Sequence, residues 1–284
     1  MDKKYEMTTT VIHTWGKNLY RIKALKSFGD VKAGDLGGYI EDEDNLSQDG
    51  NSWIYDNARV YENARVSGNA SIHDNVEVLR GAKVFENAKI SGKAMIYGNA
   101  KVHGNASIYG DAKVCGNAEV FGEAKVSGCA KVCDMAMVHG NASIYGNSWI
   151  YGNARVSDNA SVYDDAKIYD DSSIYDNAKV FDNAEVIGNA SIYGDAKVCG
   201  NSWISSNAKV YENAIVFGNA EVFCDAKIHG NAMIFGKACV GGNAEVFGNA
   251  QIYDNAKVYD NAIVFENAKI FGNDSVNKYS WVRG

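Results

Sequence analysis

A chain of 284 residues with 46% hydrophobic residues, 22% charged residues and no proline has the balance of a folded protein, which excludes a disordered linker or tail. Its formal net charge of -7 excludes the general basic footprint of a nucleic-acid binder and argues against that class of partner. No stretch approaches the ~20 apolar residues that span a bilayer, and no secretory signal is visible. The expectation is a cytoplasmic protein with no membrane partner, whose six cysteines (Cys115, Cys129, Cys133, Cys199, Cys224 and Cys239) are reduced thiols.

In chain order, the first 49 residues stand apart from the rest. Thr10–Trp15 and Leu19–Ala24 read as two strands around Gly16-Lys17-Asn18, a hairpin turn. The segment is expected to cover the open end of the region after it, because an exposed strand edge must be paired or shielded. Residues 1–49 are therefore taken as an N-terminal β cap and 50–284 as a second region.

From Gly50 to Arg283 the chain divides into 39 hexads with no insertion or deletion. Position five is Val or Ile in all 39, and position three is Ala in 32. Residues two apart on a strand share a side, so positions three and five line an interior that admits only small or β-branched side chains. Position four, between them, points outward and holds Lys, Glu, Ser, Arg or Trp. Positions one and two, mostly Gly-Asn or Asp-Asn, are turn chemistry. Each hexad is thus a short strand and a corner, and a strand of this kind buries its face only when coils stack.

The Ala-x-Val and Ala-x-Ile pattern resembles the hexapeptide-repeat family. That resemblance implies three hexads per triangular coil and left-handed winding, so about 13 coils here: an all-β, single-stranded, left-handed parallel β-helix with a small N-terminal β cap. A second resemblance lies in Asp30-Val-Lys-Ala-Gly34, Gly37-Gly-Tyr-Ile40, Asn45-Leu-Ser-Gln48 and Trp53-Ile-Tyr55, which together are similar to the YdcK-like family, whose transferase label rests largely on its fold. Lys278, Tyr279, Trp281 and Arg283 put polar or bulky groups on the last coils.

Enzymes of the hexapeptide family are mostly acyltransferases with a catalytic histidine, a loop thrown out of the coils and often a C-terminal helix. Here His103 and His139 are the candidates for a general base; a multiple of three hexads separates them, hence they share one face two coils apart. Position six, where they stand, also holds Tyr, Phe, Ser and Cys, so these histidines read as surface residues. No catalytic residue and no cofactor is therefore assigned. Cys129 and Cys133 have no second pair to complete a metal site, and no metal is assigned either. The repeated Gly-Asn-Ser-Trp-Ile at 50, 146 and 200 is expected to change face from copy to copy. The Asp residues at 158, 164, 165, 170, 171, 176 and 182 read as turn formers.

Tyr175, Tyr193 and Tyr211 are expected to stack in one column, and Phe217, Phe235, Tyr253 and Phe271 in another. Ile215, Met233 and Ile263 occupy outward positions beside Phe217, Phe235 and Phe265, which with Phe271 suggests a contact patch. The functional expectation is a non-enzymatic scaffold that self-associates as a homo-oligomer or presents a long surface to a protein partner. The alternatives are an acyltransferase using an acetyl-coenzyme A type donor between subunits, and an inhibitor of a host or phage protein.

Overall fold

A computed structural model describes residues 3–284; Met1 and Asp2, the first residues of the expected cap, lie outside it. The described residues form two compact units, one ending at Gly140 and one beginning at Asn141. Each is a β-solenoid of short parallel strands arranged in three sheets.

In the first unit, strands β1 (Tyr5–Thr14) and β2 (Lys17–Ala24) form the expected antiparallel hairpin. Strand β3 (Leu36–Ile40) pairs antiparallel with β2 on one edge and parallel with Arg59–Val60 on the other. Coil-type pairing therefore starts ahead of Gly50, and Leu46 extends it with a parallel bridge to Val66. Within each unit, strands of successive coils pair in register three hexads apart: Lys101 on Glu119, Met95 on Lys113 and Lys89 on Ser107 in the first, Lys197 on Ile215 in the second. Three hexads therefore close one coil. The first sheet of each unit runs through Trp53–Ile54 or Ser143–Ile144, the second through Arg59–Val60 or Trp149–Ile150, and the third through Arg65–Val66 or Arg155–Val156.

The strand N–H groups of one coil donate to carbonyls of the next, as Lys101 does to Ala118 O (2.9 Å) and His103 to Val120 O (3.0 Å). The donors at positions two, four and six point toward the following coil, which leaves the carbonyls at positions one, three and five of the first coil facing the cap. Unpaired buried carbonyls are costly, and the cap supplies their donors. Tyr39 and Glu41 N–H reach Ala58 O and Val60 O. Asn45 Nδ2 bridges Glu62 O and Ala64 O at 2.9 Å each. The Lys4 ammonium, buried to 1% exposure, donates to Ser52 O at 3.0 Å and lies 3.5 Å from Asp49 O and Gly50 O. A Cβ on Gly37 would lie 2.6 Å from Ile22 and from the Ile54 carbonyl, so the cap closes this tightly only with glycine there.

The interior is Ala at position three and Val or Ile at position five, almost all fully buried. The corners separate two roles that the sequence had merged. Position one alone takes left-handed angles, whether Gly104 (φ 69°), Asp158 (φ 56°) or Glu212 (φ 58°). Position two instead builds ladders: Asn51, Asn69, Asn87 and Asn105 pass amide hydrogen bonds from coil to coil at 2.7–3.2 Å, ending on Glu123.

Candidate interaction surfaces

His103 and His139 stand in one column of the first unit's third sheet, with Phe121 between them. The imidazole of His103 stacks on Phe85 (4.6 Å) and Phe121 (5.1 Å), and His139 on Phe121 (4.9 Å). Both ring nitrogens of His103 face carboxylates, Nε2 at 3.0 Å from Glu119 and Nδ1 at 3.6 Å from Glu86. In the second unit His229 repeats the arrangement between Tyr211 (4.7 Å) and Phe247 (5.0 Å), with Glu245 at 3.0 Å and Glu212 at 3.8 Å. A histidine with rings on both faces and carboxylates at both nitrogens is a rung of a ladder. The sequence signal is a pair of glutamates at the same two offsets around each histidine, Glu86 and Glu119 around His103, Glu212 and Glu245 around His229. The hexad pattern alone does not bring it out.

The aromatic columns form as expected. Tyr175, Tyr193 and Tyr211 stack at 4.8–4.9 Å, and Phe217, Phe235, Tyr253 and Phe271 at 4.9–5.4 Å. Burial within its ladder pushes the Tyr211 phenol up to about 12, and burial raises Tyr175 and Tyr193 in the same direction.

The expected contact patch splits in two. Ile215 pairs in register with Met233 on the second unit's first sheet, beside Phe217 and Phe235, with Phe271 half exposed further along. Ile263 and Phe265 belong to the third sheet, where Ile263 pairs with Glu245 and Trp281, and Phe265 stacks on Phe247. The physical reason is the three-hexad coil. Ile215 and Met233 differ by one full turn, whereas the step from Met233 to Ile263 is not a whole number of turns, so those two face different ways. On the first sheet the outward column reads Ser143, Ser161, Lys179, Lys197, Ile215, Met233, Gln251, Lys269, with no carboxylate in it.

Sequence-adjacent acids are likewise dealt out to three corners. Asp158, Asp170, Asp176 and Asp182 each accept a backbone N–H from the corner one coil later (2.9–3.4 Å), so these carboxylates tie adjacent coils together. Two sequence expectations need correction. Cys115 and Cys133 form a disulfide, with Cα atoms 4.5 Å apart, because a separation of 18 stacks position six on position six. The six cysteines are therefore not all free thiols. The Gly-Asn-Ser-Trp-Ile copies at 146 and 200 do not change face: Trp149 and Trp203 share the second sheet, since whole coils separate them. Among the described residues no helix is long and apolar enough to cross a membrane.

The YdcK β-solenoid repeat family matches the chain at residues 54–68, 58–74, 148–164 and 250–266, so the chain carries YdcK β-solenoid repeats. Most of the residues that suggested the resemblance lie ahead of these segments. No curated protein matches the sequence. Among solved structures, a protein provisionally named an acetyltransferase, from Desulfovibrio desulfuricans G20, is similar at 10% identity. That similarity covers 77% of this chain and 67% of that one, with a TM-score of 0.18, a superposition too loose to bear on this chain's chemistry.

Proposed function

We propose that this chain, which carries segments matching the YdcK β-solenoid repeat, is a non-enzymatic scaffold that associates laterally with a second copy of itself. The observation that carries this reading is the apolar quartet in which Ile215 and Met233, from an outward column free of carboxylates, stand beside the stacked rings Phe217 and Phe235. Such a cluster on a charged surface costs hydration free energy that a partner's apolar face relieves. The occupant is a second copy because the rings repeat at 4.9 Å, the rise of the solenoid itself, so only a surface of equal period stays matched over several coils. An isologous contact of this kind uses the same patch on both copies. Supporting the non-enzymatic half are the filled interior and the engaged ring nitrogens of His103, which leave that side chain little freedom to act as a base.

Light scattering after size exclusion, across a concentration series, tests the proposal. The wild-type chain is expected to run as an oligomer and the Phe217→Lys, Phe235→Lys double variant as a monomer with unchanged circular dichroism. An unchanged mass for the double variant overturns the self-association reading. Saturable binding of acetyl-coenzyme A that His103→Ala abolishes overturns the non-enzymatic one.

A further inference from the structure

The second sheet of the second unit carries an outward column whose members follow in register: Trp149, Lys167, Glu185, Trp203, Glu221, Cys239. Trp203 differs from the rings of the aromatic columns. Each of those stacks on at least one other ring of its column, whereas Trp203 has Glu185 before it and Glu221 after it and is 41% exposed. Its position-six neighbour, Ser205, is small and buried, so no ring leans over the indole from that side. A cavity of about 680 Å³ opens on the opposite side of the indole, toward the corner, bordered by Asn183, Glu185, Asn201, Ser202 and Trp203; Glu221 lies outside it, on the following coil.

The two carboxylates are not equivalent. Glu185 is held by Lys167 at 2.8 Å. Glu221 meets no cation within ion-pair distance among the described residues; its carboxylate accepts from the Cys239 thiol at 3.8 Å. An open indole beside an uncompensated carboxylate matches one chemistry on both counts. A cation is attracted to the negative face of the indole, the best of the aromatic rings for this purpose, and its N–H groups suit a carboxylate acceptor. A neutral sugar would use the indole and leave the charge unanswered. The chain's net charge of -7 further favours encounter with basic partners.

We propose that the Trp203 face binds an arginine or lysine side chain of a basic protein segment, with the cation on the indole and its N–H donors on Glu221. This sheet is not the one that carries the Ile215 patch, so the inference holds whether or not the chain self-associates. The test is calorimetric titration of the intact protein with an alternating Arg-Gly octapeptide, an alternating Glu-Gly octapeptide and a neutral glucan oligomer. Saturable binding of the Arg-Gly peptide alone is expected. Trp203→Ala and Trp203→Leu should each weaken it by roughly threefold to tenfold, and Glu221→Gln by roughly threefold. Added salt should weaken it further. Trp203 is exposed, so its variants should keep the wild-type melting curve, which separates loss of binding from loss of fold. Undiminished affinity in both Trp203 variants, or preference for the glucan, overturns the proposal.

Discussion

Ser148 and Ser172 replace alanine at the interior position three, and each hydroxyl donates to the carbonyl three residues back, Tyr145 O at 2.9 Å and Tyr169 O at 2.6 Å. Ser202 occupies the same position, but its Oγ is buried without a hydrogen-bond partner. A buried hydroxyl that bonds to nothing forfeits its hydration, whereas a bonded one roughly recovers it. Ser202→Ala is therefore expected to raise stability by about 1 kcal/mol, and Ser148→Ala to leave it level or lower it by about 1 kcal/mol. Urea midpoints of the two variants decide the matter: equal losses would refute this reading of Ser202. The serines were legible as exceptions to Ala. Which hydroxyl finds a carbonyl depends on local backbone geometry that the repeat pattern does not encode.

At the level of elements, the phenols of the ladders and the Lys4 ammonium of the cap respond to alkali in opposite senses. Burial raises Tyr145, Tyr163, Tyr175 and Tyr193 above the usual phenol value, and takes Tyr211 and Tyr259 up to about 12. A group whose folded value is raised contributes stability that is full below its unfolded value, near 10, and is lost as pH climbs through the folded one. Lys4 runs the other way. Burial lowers its ammonium to about 8, so the folded state gives up the proton first and gains stability as pH rises from about 8 toward 10.5. The melting temperature should therefore rise slightly between about pH 8 and 10 and fall steeply from about pH 10 to 12. Lys4→Met should remove the rise and keep the fall; a flat profile above about pH 10 would count against the buried ladders. The columns themselves follow from arithmetic on the sequence. The cap's donors do not, because Lys4, Tyr39 and Asn45 meet the first coil only after the hairpin has folded back.

For the molecule as a whole, the Cys115–Cys133 bond is the point where the structure bears on its surroundings. A disulfide clamps two adjacent coils of the first unit and closes a loop spanning a separation of 18, worth about 3 kcal/mol on chain-entropy grounds. Thiol titration of the denatured chain without reductant should find four thiols, and six after reduction. Reduction, or Cys115→Ser, should lower the melting temperature of the first unit. Six thiols before reduction would show the bond absent and restore the expectation of a fully reduced protein. The pairing was present in the sequence as a one-coil separation, yet the nearer Cys129–Cys133 spacing masks it.

An unbroken alternation of Ala and Val or Ile over 39 hexads determined the strands, the sealed interior and the corners, because a six-residue period permits no other way to bury those side chains. The sequence also contained the aromatic columns, once three hexads to a coil is granted. Only the tertiary structure decided which side chains share a face, since a surface is assembled from residues one coil apart. It divided the expected apolar patch between two sheets, joined Trp149 and Trp203 on one, placed corner carboxylates on the next coil's amides, and set Lys4 against the carbonyls of the first coil.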